Sequence, residues 1–171
     1  LDNKLEMLAD KLDIPEPNRM EYDEDHIELL YDDWEEAFQE ETMDGGLPKN
    51  RLVIFDDCGY SGSLKNKQAG IISKLICNGR HLNLSQIYTS QRFSQVSTTL
   101  RTNITGAILF NTSMKELGLI SDDMNFMNNN KDFIKMFRKT TEQPRSFLVV
   151  NFSNPPETLY MDSQFKPIHW M

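Results

Sequence analysis

Arg51-Leu52-Val53-Ile54-Phe55-Asp56-Asp57 carries four apolar residues directly into two adjacent carboxylates. The run is bounded by charge on one side and by Cys58-Gly59 on the other. A continuous apolar run of this length predicts a central strand of a parallel sheet, covered on both faces. Functional groups in such sheets gather at the carboxyl ends of the strands, where Asp56 and Asp57 fall. Taken alone, the run equally fits a strand that leaves a core through a polar turn.

Working upstream, Asp44-Gly45-Gly46-Leu47-Pro48 is a turn cluster and the clearest boundary in the chain. It predicts an acidic helical segment over residues 1–48 and a second part over 49–171. In the first part, Leu1, Leu5, Leu8 and Leu12 stand at helical spacing until Pro15 and Pro17 end the pattern. Residues 25–41 repeat it, with Ile27, Leu30, Tyr31, Trp34 and Phe38 on one face and acids on the other. That acidic face reads as a solvated surface or as one turned toward a neighbouring subunit. Residues 1–50 hold four Lys/Arg against 17 Asp/Glu, a net of −13, whereas residues 51–171 hold 14 against nine, a net of +5. The formal charge of −8 therefore conceals a basic remainder, compatible with a polyanionic partner such as DNA.

Downstream, a loop is expected at residues 59–63 and a helix over 64–78, with Ile71, Ile72, Leu75 and Ile76 inward and Gly79 closing it. Residues 84–91 predict a second strand that also ends on a polar residue, Gln91. A short helix or loop over 94–100, a strand over 104–110 and a short helix over 114–120 follow. An Asn-rich loop at 122–130 precedes a helix over 131–139 with Phe133, Ile134 and Phe137 inward, and strands at 147–152 and 159–161 complete the pattern. The alternation predicts an α/β fold with a mostly parallel sheet.

The rest of the composition narrows the classes. Cys58 and Cys77 lack metal-ligand spacing, and His26, His81 and His169 are scattered, so neither a zinc site nor a disulfide scaffold is expected. No run of 18 apolar residues is present, and no charged-then-apolar leader opens the chain.

Acids at one strand tip beside a Gln at another suit nucleoside-triphosphate hydrolysis, which needs a held Mg²⁺, an oriented water and positive charge on the transition state. Asp56 would hold the Mg²⁺ coordination shell, Asp57 would orient or deprotonate the attacking water, and Gln91 would report the γ-phosphate.

Gly79-Arg80-His81-Leu82-Asn83-Leu84-Ser85-Gln86-Ile87-Tyr88-Thr89-Ser90-Gln91-Arg92, followed by Leu100-Arg101-Thr102-Asn103-Ile104, resembles the block after the Walker B strand in the FtsK/HerA superfamily. Within it, the chain is similar to the poxvirus-type genome-packaging ATPases of large DNA viruses, virophages and polinton-like elements. The likeness runs from about Arg51 to about Leu117, less than half of the chain. It implies a RecA-like P-loop NTPase core, with Asp56 and Asp57 as the Walker B acids and Gln91 as the sensor. It implies that Arg80 is the arginine reaching the neighbouring subunit's nucleotide, with Arg101 as second choice; a helix C-terminal arginine favourable to the dipole is the other reading of Arg80. ATP and Mg²⁺ are then the expected cofactors. The expected partners are double-stranded DNA, capsid or portal-vertex proteins and further copies in a ring, at an intracellular viral assembly site or on the virion. Lys65 and Lys67 are candidates for DNA phosphate contacts.

Two departures stand out. Asp57 occupies a position where Glu is common, and no Gly-x-x-x-x-Gly-Lys-Ser/Thr loop occurs anywhere. That absence, with the Leu1 start, is read as N-terminal truncation, leaving residues 49–171 as the C-terminal part of the ATPase domain and this chain inactive alone. The rival readings are a non-catalytic structural or assembly subunit and a related secretion or conjugation motor.

Overall fold

The structure, a computed structural model, describes residues 3–57 and 70–169. The loop expected at residues 59–63, Lys65, Lys67 and the start of the helix expected from residue 64 lie outside the described residues. By compactness the chain divides into one unit formed by Leu1–Val53 with Asn78–Gln86 and another formed by Ile54–Cys77 with Ile87–Met171.

In the first unit, α1 (Asn3–Lys11) buries Ala9 but leaves Leu8 exposed, as is Leu12 just past its end. Arg19 closes the segment behind it by donating to the Ile14 carbonyl and to the carboxylates of Glu6 and Asp10. Next comes α2 (Glu24–Thr42), begun by Asp23, whose carboxylate accepts from the His26 amide at 2.8 Å. Glu24, Glu28, Asp32, Glu36 and Glu40 run along it at i, i+4 and are all exposed. Like charges at that spacing oppose helix formation, so the stability of α2 comes from its other face, where Ile27 and Tyr31 are buried. At its last turn Glu41 accepts from the Lys49 amide at 2.9 Å and from Arg51 Nη2 at 2.7 Å. Those bonds, the Lys49 amide first, hold the Glu41 carboxyl below its ordinary value and fix the chain as it enters β1 (Arg51–Phe55).

The helix α3 (Ile71–Asn78) buries Ile71, Ile72 and Leu75. Gly79 does not end the helical path; a 3-10 turn carries it to Leu82, and Asn83 reverses it in the left-handed conformation at φ 56°. Asn83 Nδ2 donates to the carbonyls of Pro48 and Lys49 and to Asn50 Oδ1. A side chain at Gly79 would displace only the side-chain amide of Gln86. From Asn83 the chain enters β2 (Leu84–Tyr88). The Arg51 amide donates to the Asn83 carbonyl, and four residues on, the Thr89 amide donates to the Phe55 carbonyl. Both strands advance together between those bonds, so β1 and β2 pair in parallel.

In the second unit, α4 (Thr98–Asn103), β3 (Gly106–Phe110), α5 (Met114–Met124), α6 (Asn130–Thr140), β4 (Phe147–Asn151) and β5 (Tyr160–Met161) follow in order. Here β3, β4 and β5 pair antiparallel, with Gly106 opposite Asn151 and Val150 opposite Tyr160. The α/β class expected from the sequence holds, and the expected parallel arrangement belongs to the β1–β2 pair. The helix pair α5 and α6 returns the chain beside β3 in the opposite direction, which is why the remainder is antiparallel. Leu109, Leu117, Ile120, Met124, Phe133, Met136, Phe137, Leu148 and Val150 form the core. The Tyr160 hydroxyl closes it by donating to the Met124 carbonyl and accepting from the Phe126 amide, both at 2.8 Å. Burial raises this phenol's pKa above its ordinary 10.0, against the opposing bond from Phe126.

Coverage of the strands is less complete than the apolar runs suggest. Phe55 is buried, but Leu52 is 57% exposed, so β1 is not covered on both faces by the described residues. On β3, Leu109 points inward while Ile108 and Phe110 are exposed.

Candidate nucleotide-hydrolysis site

Alternation along β1 carries Phe55 into the core, where it stacks on Tyr88 of β2 at 4.9 Å between ring centroids and 10° between planes. That stack fixes the two strand ends side by side, and the polar residues beyond them meet. Asp56 is exposed, and its Oδ1 accepts a short bond from the Thr89 hydroxyl. Asp57 has φ 48°, a left-handed conformation that aspartate tolerates better than most residues. The turn aims the Asp57 amide at Thr89 Oγ1, 3.0 Å away, while its carboxylate Oδ2 accepts from Gln91 Nε2.

The site thus joins three residues singled out in the sequence, Asp56, Asp57 and Gln91, with one that was not. Thr89 touches both acids and so ties their relative orientation to β2. Its signal was present in the ending Tyr88-Thr89-Ser90-Gln91. Thr89 and Gln91 stand two residues apart, the spacing that returns side chains to one side of an extended chain. After Gln91 the chain is turned by bonds to the Arg92 carbonyl from Ser90 Oγ and the Gln95 amide, both at 3.0 Å.

Chemically, the Asp56 carboxylate with the Thr89 hydroxyl offers hard oxygen donors to a divalent cation. Such donors suit Mg²⁺, which keeps several waters and takes one or two protein oxygens. Among the described residues no three His, Cys, Asp or Glu side chains cluster as a fuller metal site. Asp57 offers a carboxylate oriented by an amide donor, and a carboxylate so held is capable of general-base chemistry.

The two candidate arginines differ. Arg80 is exposed on the 3-10 turn Gly79–Leu82 of the first unit. Arg101, on α4, is only 18% exposed; it pairs with Asp123, donates to Thr98 Oγ1 at 3.4 Å and lies over the Phe93 ring at 5.1 Å. Its guanidinium is engaged within its own subunit. Lys65 and Lys67 lie outside the described residues, and no described helix is long and apolar enough to cross a membrane.

Comparison with known proteins bears on the fold and the family. Among curated proteins none matches. The fold is similar to the genome packaging NTPase B204 of Sulfolobus turreted icosahedral virus 2 in complex with AMPPCP, with a TM-score of 0.56 at 21% identity, covering 85% of this chain and 62% of that one. The complex of that protein with ATP-gammaS gives a TM-score of 0.52 at 18% identity over 82% of this chain and 62% of that one. B204 from Sulfolobus turreted icosahedral virus, described as the DNA-packaging ATPase, gives 0.56 at 18% identity, covering 87% and 66%. The chain spans about two thirds or less of the length of these structures. At such identities the likeness establishes the fold, the α/β core expected from the sequence. Residues 19–162 match the family described as Poxvirus A32 protein, and with most of its length inside that match, the chain belongs to the poxvirus A32 protein family.

Proposed function

We propose that the full-length protein is an ATP-driven translocase that packages double-stranded DNA into viral capsids at the site of virus assembly. The single observation that carries the reading is the contact of Gln91 with Asp57 across two parallel strand tips. It brings a carboxylate and an amide together at the end of a sheet where phosphoryl chemistry is performed. Membership of the A32 family and the fold shared with packaging NTPases support it.

In this mechanism Asp56, steadied by Thr89, would hold the Mg²⁺ shell, and Mg²⁺ when bound would supply positive charge to the transferring phosphoryl group. Asp57 orients the attacking water and accepts its proton. Gln91 bonds either Asp57 or the γ-phosphate, so its partner depends on the nucleotide. Arg80, exposed on its turn, acts on the nucleotide of a neighbouring copy in a ring, and Lys65 and Lys67 contact DNA phosphates without reading sequence. Residues 1–48 form the segment ahead of the Walker B strand and 49–171 the C-terminal part of the ATPase domain. The phosphates need a glycine-rich loop, and no Gly-x-x-x-x-Gly-Lys-Ser/Thr occurs in this sequence.

Asp57→Asn tests the assignment cleanly, because asparagine also tolerates the left-handed backbone and can still accept from Gln91. Loss of ATP turnover by about 10²-fold or more with nucleotide binding retained is expected; unchanged turnover removes Asp57 from the mechanism. The rival, a non-catalytic assembly subunit, is favoured by the missing loop. Reading the genomic frame ahead of Leu1 decides between them, since an authentic start codon just upstream with no phosphate loop sinks the motor.

A further inference from the structure

Ser113-Met114-Lys115-Glu116 has the spacing of a capping box, in which the glutamate of the first helical turn reaches back to the amide of the capping serine. Half of that motif is formed. Ser113 Oγ accepts from the Glu116 amide at 3.4 Å and begins α5. The other half is diverted across 22 residues of chain: Glu116 Oε2 accepts from the Ser94 amide and Oε1 from the Ser94 hydroxyl, both at 2.8 Å. Ser94 lies three residues after Gln91, in the 3-10 turn Phe93–Gln95 that packs against α5. The other end of α5 is tied by the pairing of Asp123 with Arg101. Leu117, next to Glu116, is 1% exposed, so the carboxylate projects from a helix fixed in the core.

We propose that Glu116 is a positioning residue for Gln91, holding Ser94 so that the turn presents the Gln91 amide to Asp57 and passing changes in that contact to α5. The inference rests on the hydrolytic reading of the Asp57–Gln91 contact and adds the element that answers to it. Only Arg92 and Phe93 separate the sensor from a two-bond clamp, so a shift of the Gln91 backbone toward a phosphate loads the clamp and the helix behind it. Burial opposes ionisation of Glu116, but the two bonds from Ser94, with nearby Arg92 and Lys115, outweigh it and hold its carboxyl below the ordinary range. The clamp is therefore ionic at neutral pH.

The test uses the full-length protein and steady-state ATP turnover. Glu116→Ala is expected to lower kcat by about tenfold or more while leaving KM within about twofold, because it loosens geometry rather than binding. Glu116→Gln can accept from the Ser94 amide through its carbonyl and donate to the hydroxyl through its NH₂, so it is expected to recover most of kcat. Amide hydrogen exchange at Ser94 should rise in Glu116→Ala and stay low in Glu116→Gln. Wild-type kcat in Glu116→Ala, when Gln91→Ala is inactive, overturns the inference and leaves the reading of Gln91 standing. A Gln variant as impaired as the Ala variant overturns it as well. Full turnover in Gln91→Ala removes the sensor itself, and the inference with it. If Glu116→Ala does not fold, Ser94→Ala removes only the hydroxyl limb; a kcat lowered severalfold is expected, and unchanged kcat overturns the proposal.

Discussion

Tyr160→Phe isolates one oxygen atom in the core of the second unit. The ring can stay in place, 7% exposed and 5.8 Å from the Phe133 ring between centroids, so the apolar packing is unchanged. What disappears is a hydroxyl that donates to the Met124 carbonyl and accepts from the Phe126 amide. A buried backbone group left without a partner costs about 1–3 kcal/mol. The Met124 carbonyl belongs in the upper part of that range, because the bond is buried, whereas the Phe126 amide is partly open to water and costs less. The sum is about 3 kcal/mol, which for a chain of this size lowers Tm by roughly 6–12 °C. Urea unfolding should show the same loss at an unchanged slope. A second signature lies in pH. Folding raises the phenol's pKa, so its contribution to stability is present below the ordinary 10.0 and is lost as pH rises through the folded value. The difference between wild type and Tyr160→Phe should therefore shrink above pH 10. A loss under about 0.5 kcal/mol, or a difference independent of alkaline pH, refutes the role given to this hydroxyl.

Two further expectations separate the arginines. Arg101→Ala removes a partly exposed ion pair and a cation–π contact, together about 1–2 kcal/mol, so Tm should fall by a few degrees; loss of turnover at unchanged Tm would instead mean that Arg101 acts on a neighbour. Arg80→Ala should leave stability unchanged and abolish hydrolysis only in the assembled ring, and activity regained in rings mixed with Asp57→Asn subunits would support action in trans. A monomer as impaired as the ring would count against it.

Much of this architecture was legible because local chemistry and tertiary outcome agree. The apolar run into Asp56-Asp57 is a strand under either of its readings, and the helical spacing of Phe133 and Phe137 leaves one economical solution. The misses have physical reasons. The helix expected to stop at residue 120 runs on to Met124 because Met124 is buried and Tyr160, 36 residues later, holds its carbonyl. Parallel pairing was extended to β3 and β4 because alternation of elements does not reveal that α5 and α6 form a returning pair. Thr89 and Glu116 escaped notice because their partners lie 33 and 22 residues away, and nothing in a Thr or a capping-box Glu announces a distant bond.

The left-handed turn at Asp57 bears on which acid can occupy the position. Glutamate, the acid that the resemblance leads one to expect there, is one methylene longer and takes up this backbone conformation less readily. In this chain the backbone rotates to bring a short carboxylate to Gln91, so conformation supplies reach that a longer side chain would otherwise provide. Length and handedness are thus exchangeable only together. A change from aspartate to glutamate at this point is a two-step substitution, in which the turn that follows β1 has to change with the acid.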